Sequence, residues 1–531
     1  GLTRYYYVTA ANQALEESEP SDTLFASTFA MSDEQLLTSV QEALFRYFWD
    51  FGHPVSGLAR ERNTSLETCT SGGTGFGLMA IVTGAERGFV SRDSAAARTL
   101  KILRFLKNDA QRYQGAWAHW INGTTGATIP FSQYDDGADL VETSYLVMGM
   151  LTSRQYFTEN NAVETEIRDL ATELWEGVDL DFFRKNQFGT VLYWHWSPNY
   201  EWQINLPIRG FNETMITYLL AIASPTNPVP ASLYQTGWAG GNYVNGNTYY
   251  GHYLWVGPAW GGPLFFTQYT FLGFDPRNKS DQYCNYFENN RNTSLVHWEY
   301  GKRNPRGHAG YDSLGWGLTA SDDPFGYTAH VPFTNDNGTI TPTAALSAMP
   351  YTPEQSIATL RYFYHDLGED LWGPMGFYDA YNMDENWFAR SYIAIDQGPI
   401  IGMIENYRSE LLWNLFMSNP EIQPMLDAIG FTTVGIADDP PVSGTFALEQ
   451  NFPNPFNGET IIRFSLPQSE TVTLEIFNTL GERVSKIIEN KAFIAGTHEQ
   501  RIDANRFTSG VYFYRITAGD FQKTRKMLLI K

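Results

Sequence analysis

Apolar and polar positions follow a helical period over most of the first 430 residues. Ser32 and Gln35 fit a capping box ahead of Leu37, Val40, Leu44, Phe48 and Phe51, which recur at the spacing of one helix face. The same period predicts helices near 92–109, 139–157, 164–178, 212–224, 353–366 and 398–417, with shorter ones near 74–85, 263–272 and 312–320. Between them lie long Gly, Trp, Tyr and Asn-rich stretches at 185–210, 235–262 and 300–345. Connections of that length in a compact domain are usually functional. The pattern predicts a mainly α scaffold whose loops build a site.

Both ends break the period. Tyr5-Tyr6-Tyr7-Val8 and Pro20-Ser21-Asp22-Thr23-Leu24 read as two strands around an acidic turn. Two strands cannot bury a core alone. They resemble the end of a fibronectin type III domain, so residues 1–30 are expected to be its remnant and the natural chain to continue upstream. Asp438-Asp439-Pro440-Pro441 marks an extended linker over 433–445. Beyond it, segments 460–464, 472–476 and 511–516 read as strands of a small β-sandwich over 446–531.

Charge sharpens this division. The chain has 36 Lys and Arg against 58 Asp and Glu, a formal net charge of −22. That balance disfavours nucleic-acid partners and acidic polymers as substrates. Residues 446–531 hold 11 basic and 9 acidic side chains, so the acidity belongs to the helical part. No stretch approaches the roughly 18 apolar residues of a membrane span. Cys69 and Cys284 are too few for a disulfide framework or a Cys-rich metal site.

The motif record excludes several chemistries. No phosphate-binding Gly-x-x-x-x-Gly-Lys-Ser/Thr, His-Glu-x-x-His or Gly-x-Ser-x-Gly segment occurs. Gly72-Gly73-Thr74-Gly75-Phe76-Gly77 is not a dinucleotide fingerprint, since Leu78 stands where the last Gly belongs; it predicts a helix starting close beneath a ligand or another helix. The nine His residues are scattered, and neither a catalytic metal nor a cofactor is expected.

Carboxylates remain. Asp135, Asp136, Asp139 and Glu142 fall within eight residues at the start of an apolar helix, with Asp139 and Glu142 on one face. The same spacing fits a capping box. Glu213 falls in the first turn of a predicted helix after an aromatic loop, where it would also complement the helix dipole. Asp396 precedes the last long helix, as an N-cap would, and Asp379 lies nearby. Aromatic loops accompany these acids: Trp117-Ala118-His119-Trp120, Tyr193-Trp194-His195-Trp196, Trp255 and Trp260. Paired acids beside flat apolar faces are what glycoside hydrolysis requires, since one carboxyl protonates the leaving oxygen while another activates water or attacks.

Gly72 to Gly77, Arg87-Gly88-Phe89, Asp136-Gly137-Ala138-Asp139-Leu140-Val141-Glu142-Thr143, Tyr193 to Pro198, Gly210-Phe211-Asn212-Glu213, Gly317 to Asp322 and Ile395-Asp396-Gln397-Gly398-Pro399 resemble the motifs of glycoside hydrolase family 144. The resemblance spans about residues 32–430, within a domain expected over 31–432. It implies an (α/α)6 barrel and inverting hydrolysis of β-1,2-glucan to sophorose or short sophorooligosaccharides. It also implies Glu213 as general acid and Asp396 as base, with Asp379 the alternative, while Asp135, Asp139 and Glu142 line the cleft and tune the acid. Asp136, Trp120, Tyr193, His195, Trp202, Arg209, Trp316 and Tyr327 are the expected sugar-binding residues. Loops 249–258 and 266–268 depart from the family pattern, which leaves endo or exo action open. Two other readings stand beside this one: a glucoamylase-like barrel acting on another glucan, and a non-catalytic glycan-binding protein.

The tail resembles the sorting domain of type IX secretion substrates, with Leu448-Glu449-Gln450-Asn451-Phe452-Pro453-Asn454-Pro455-Phe456-Asn457, Gly510-Val511-Tyr512 and the closing Lys526-Met527-Leu528-Leu529-Ile530-Lys531. The implied protein is a monomer, secreted or held at the cell surface, with a polysaccharide or oligosaccharide substrate and the secretion machinery as its partner.

Overall fold

The computed structural model describes residues 3–10, 17–27, 31–433, 447–448, 451, 456 and most of 458–529. The chain divides into two compact units, Gly1–Thr433 and Val434–Lys531. The expected linker motif at 438–441 lies outside the described residues.

The first unit is mainly helical. Helix α1 (Asp33–Trp49) opens on the expected capping box, with Gln35 N–H donating to Ser32 Oγ at 3.3 Å and Ser32 N–H to Gln35 Oε1 at 3.0 Å. Helices α2 (Ser71–Glu86) and α4 (Leu140–Tyr156) are buried on nearly every side, whereas α3 (Arg92–Asn108) and α5 (Ala162–Glu176) bury one face. This contrast recurs along the chain. The short α6 (Met215–Ala223) and α10 (Ala394–Ser409) are inner helices, and α9 (Pro353–His365) is amphipathic. α2 packs between α4 and α10, and α1 packs on α10.

The Gly-rich run exists for a helix rather than a ligand. A Cβ on Gly75 would stand 2.1 Å from the Tyr145 carbonyl oxygen, and one on Gly149 would stand 2.1 Å from the Gly75 oxygen. Only backbone fits where α2 crosses α4.

Three expected helices differ. Segment 263–272 forms two 3-10 turns, Leu264–Thr267 and Thr270–Leu272, because its peptide groups bond outward: Leu264 N–H to Leu318 O and Phe265 N–H to Thr319 Oγ1. Segment 312–320 forms a turn held by Asp312 and then enters the hairpin Ala320–Asp323/Gly326–Ala329. The last predicted helix breaks at Glu410, whose φ of +63° separates α10 from α11 (Leu411–Met417). A long helix, Tyr286–Arg303, escapes the period altogether. Its inward face is polar, with Asn289, Asn290, Thr293, Ser294 and His297 all buried, so hydrophobic spacing cannot reveal it.

The second unit has two antiparallel sheets. Ala447–Leu448, Glu459–Leu466 and Gly496–Asp503 form one; Arg483–Phe493, Glu470–Phe477, Gly510–Ala518 and Phe521–Leu529 form the other. Phe464, Leu474, Ile476, Tyr514, Ile516 and Met527 belong to their shared core. At the N-terminus, Thr3–Tyr6 pairs antiparallel with Leu24–Ser27. Cys69 and Cys284 are both buried and free. Among the described residues no helix is long and apolar enough to cross a membrane.

Candidate active site

The first group of acids forms where α2 and α4 begin side by side. A short strand, Ala138–Asp139, pairs with His195–Trp196 so that Asp139 faces His195. Asp139 Oδ1 accepts the Val141 and Glu142 N–H groups, both at 3.0 Å, and so caps α4 as the sequence suggests. Glu142 does not complete the box. Its Oε2 reaches across to α2, accepting Gly72 N–H at 2.9 Å and Thr70 Oγ1 at 3.1 Å, and caps the neighbouring helix. A Cβ on Gly72 would stand 2.4 Å from that oxygen.

Two histidines complete this group. Asp139 Oδ2 lies 3.0 Å from His119 Nδ1, and His195 Nε2 lies 3.3 Å from Asp135 Oδ2 and 3.7 Å from Asp139 Oδ2. Burial alone would push His119 down, but the charges of Glu142, Asp139 and Asp135 outweigh it and hold the imidazolium up to about 9. Burial and the Asp139 charge push Asp135 up to about 7, and burial raises Glu142. Asp139 moves the other way: burial would raise it, but both histidines and the Glu142 N–H hold it below its ordinary value. Among the described residues, His119, Asp135 and Asp139 place ligand atoms within 4.8 Å of one another, a spacing that could hold a cation. The same atoms already form an ion pair with a sugar-sized opening beside it.

Glu213 lies in a turn two residues before α6, not in its first helical turn. Its backbone carbonyl accepts Tyr145 Oη at 3.2 Å and Thr270 Oγ1 at 2.8 Å, which fixes the turn against two neighbouring segments. Its carboxyl Oε2 is buried without a hydrogen-bond partner. Burial, then the Glu142 charge, pushes it up to about 7. Tyr145 and Tyr269 form a buried floor beneath these acids, their rings 5.8 Å apart and both within 5.3 Å of Phe76.

A second group of acids comes from three other segments. Asp396 lies in the first turn of α10, but neither of its oxygens caps the helix; its carboxyl instead meets that of Asp379. Asp379 Oδ2 accepts Asp322 N–H at 2.7 Å. Asp322 is held in turn by Arg62 at 3.1 Å to each oxygen and by Ser391 Oγ at 2.6 Å. Burial and the Asp322 charge push Asp379 up to about 7; burial, the Asp379 charge and a bond to Asp379 push Asp396 well above the usual carboxylate range. Two buried carboxyls this close share a proton. A cavity of about 380 Å³ is lined by Thr70 and His119, which bond Glu142 and Asp139, by Arg62, which holds Asp322, and by Trp120, Phe131, Tyr327 and Ile395.

The remaining expected residues scatter. Trp120 lines the cavity beside Phe131, ring centroids 4.7 Å apart. Asp136 accepts Asn199 Nδ2 at 2.7 Å and ties two rim loops together. Tyr193 and Trp202 stack under the Lys185 ammonium, 3.5 and 5.2 Å from their rings, in a cluster of their own. Arg209 is exposed, outside the cavity lining. Trp316 is a core residue: it is 1% exposed and its indole N–H donates to Thr359 Oγ1 at 2.7 Å, so it offers no face to a sugar. Arg62, His119, Tyr145, Tyr269 and Asp322 were not among the expected site residues. His119 lies in an aromatic motif and Asp322 at the end of the Gly317–Asp322 motif, whereas Arg62 meets Asp322 across 260 residues with no local signal.

Residues 205–420 match a family model described as "Putative glucoamylase", and residues 450–531 match a secretion system C-terminal sorting domain. The chain is similar to an exo β-1,2-glucooligosaccharide sophorohydrolase (non-reducing end) of Parabacteroides distasonis, 46% identical over 453 residues, which is 81% of this chain and 62% of that protein. It thus spans less than two thirds of this curated relative's length. It is similar to the crystal structure of a β-1,2-glucanase from the same species, with TM-score 0.77, 46% identity and coverage of 81% of this chain and 64% of that one. An endo-β-1,2-glucanase from Chitinophaga pinensis, solved with sophorotriose and glucose, gives TM-score 0.74 and 46% identity over 76% of this chain and 99% of that one.

Proposed function

The chain belongs to glycoside hydrolase family 144, and on that footing we propose that it hydrolyses β-1,2-glucan with inversion, releasing sophorose or short sophorooligosaccharides. The observation that carries this reading is the Glu213 carboxyl, unpartnered at Oε2 and pushed up to about 7, so that it holds a proton at neutral pH. An acid in that state can protonate a glycosidic oxygen. Across Tyr269, which feels the charges of both Glu213 and Asp396, the Asp379–Asp396 pair retains one negative charge once a single proton is shared, which suits it to draw a proton from attacking water. We assign the base to this pair rather than to Asp396 alone.

The supporting groups divide by charge. Asp135, Asp139 and Glu142, with His119 and His195, present acceptors and donors suited to sugar hydroxyls, and the Glu142 charge helps keep Glu213 protonated. Trp120 and Phe131 offer the cavity wall on which a pyranose face stacks. Arg62 holds Asp322, whose backbone N–H steadies Asp379. The alternation of wholly buried with one-face-buried helices supports a closed (α/α)6 barrel as the frame. The sorting domain directs the chain through type IX secretion to the cell surface or beyond.

The test is reducing-sugar release with product chromatography on linear β-1,2-glucan, beside β-1,3-glucan, β-1,4-glucan and starch. Sophorose or its short oligomers from the first substrate alone is the expected outcome. Hydrolysis of starch with β-1,2-glucan untouched would overturn the reading.

A further inference from the structure

Three bulky residues hold backbone conformations that bulky side chains avoid, and all three meet at one place. Tyr250, Trp260 and Phe333 have φ of +53°, +61° and +60°, and they are the only aromatic residues with positive φ among the described residues. Trp260 stacks at 5.5 Å on Tyr250 and at 4.5 Å on Phe333, and Tyr249 joins at 4.5 Å. Left-handed geometry costs free energy for any residue with a branched or bulky side chain, and it persists where the surroundings impose it. Here it brings four partly exposed rings together, from the hairpin Val244–Val256, the turn Ala259–Gly261 and the loop at 333.

The surface connects to the site through aromatic contacts. Tyr269, on the floor beside Glu213 and Asp396, lies 5.1 Å from Phe265, and Phe265 lies 4.8 Å from Phe266. Phe266 borders Gly262, two residues after Trp260, where an added Cβ would stand 2.9 Å from its ring. Phe265 and Phe266 are partly exposed as well. A run of rings thus leads outward from the floor, with Tyr249, Tyr250 and Phe266 in the stretches 249–258 and 266–268.

We propose that Trp260, with Tyr249, Tyr250 and Phe333, forms a distal subsite that stacks on sugar rings of a β-1,2-glucan chain whose scissile bond lies at the Glu213 site. The inference rests on the reading of that site as a glucan hydrolase. A neutral polymer offers apolar C–H faces and no charge, which matches a set of partly exposed rings tilted against one another. The platform favours long chains because only these reach it while occupying the cavity.

Trp260→Ala and Tyr249→Ala, each compared with wild type, test it. On long β-1,2-glucan kcat/KM is expected to fall about tenfold, mainly through KM, as for an anchoring aromatic residue. On the shortest sophorooligosaccharide that wild type cleaves, the rate is expected to stay within about twofold. In native gels containing β-1,2-glucan, wild type is expected to be retarded and the variants less so. Equal losses on long and short substrates, or no loss on the polymer, would overturn the proposal. Tyr249 has ordinary backbone geometry, so its variant decides the matter if Trp260→Ala does not fold. A wild type that is retarded without hydrolysing would sink the proposed activity and leave the subsite standing; one that is not retarded would sink the subsite.

Discussion

A carboxyl group with no partner in a buried site is a stored proton. Glu213→Gln keeps the shape of the side chain and removes the proton, so turnover on β-1,2-glucan should drop by about 10²–10⁴-fold with substrate binding retained, measured by initial rates and calorimetry. The same proton storage shows in stability. Glu213, Asp135 and Asp379 are pushed up to about 7 and Asp396 well above the usual carboxylate range, so the folded chain holds more protons than the unfolded one from the ordinary carboxylate values upward. Stability is then greatest below the ordinary carboxylate values and falls as pH rises through about 7. His119, raised to about 9, adds to the fall, while Asp139 opposes it. Melting temperature should decline between about pH 5 and pH 8. Asp396→Asn should flatten that decline and raise stability at pH 8 by on the order of 1–3 kcal/mol while abolishing activity. A variant less stable than wild type at pH 8 would contradict the burial of an unpaired charge.

Elements set these residues by close approach. α2 and α4 touch backbone to backbone at Gly75 and Gly149, and the contact brings Glu142 onto the first amides of α2. Gly75→Ala should cost at least about 2 kcal/mol, read as a lowered melting temperature, since the backbone oxygen in its way cannot rotate aside. Much at this scale was legible in the sequence. α1, α3 and α5 each pair an apolar stripe with a side-chain cap, α9 pairs one with Pro353 in its first turn, and the acids at 135–142, 213 and 396 announce themselves by clustering beside helix starts. The remainder was not, for physical reasons. Helix Tyr286–Arg303 turns amide and hydroxyl side chains inward; Arg62 and Asp322 have no sequence proximity; and Trp316 in a Gly-rich loop looks the same on paper whether it faces a sugar or Thr359.

The whole molecule separates address from chemistry. The two core clusters of the helical unit contain no residue of the tail, and the sandwich core contains none of the helical unit. A chain ending after Thr433 should therefore retain its rate on β-1,2-glucan and fail to reach the cell surface, as fractionation with activity assays would show; lost activity in a folded truncation would contradict the division. Within the helical unit, the first and nearly the last helix are sewn together: Gln41 of α1 donates to Ile401 O at 3.2 Å and Glu405 Oε2 at 3.0 Å of α10, across 360 and 364 residues. α10 also carries Asp396. During synthesis, then, that seam does not exist until 360 residues beyond Gln41 have been made, and Asp396 comes only just before it. Contacts so far apart in sequence form slowly. On the proposed function, the nascent chain is a latent enzyme whose activity arrives only with the last helices of this unit.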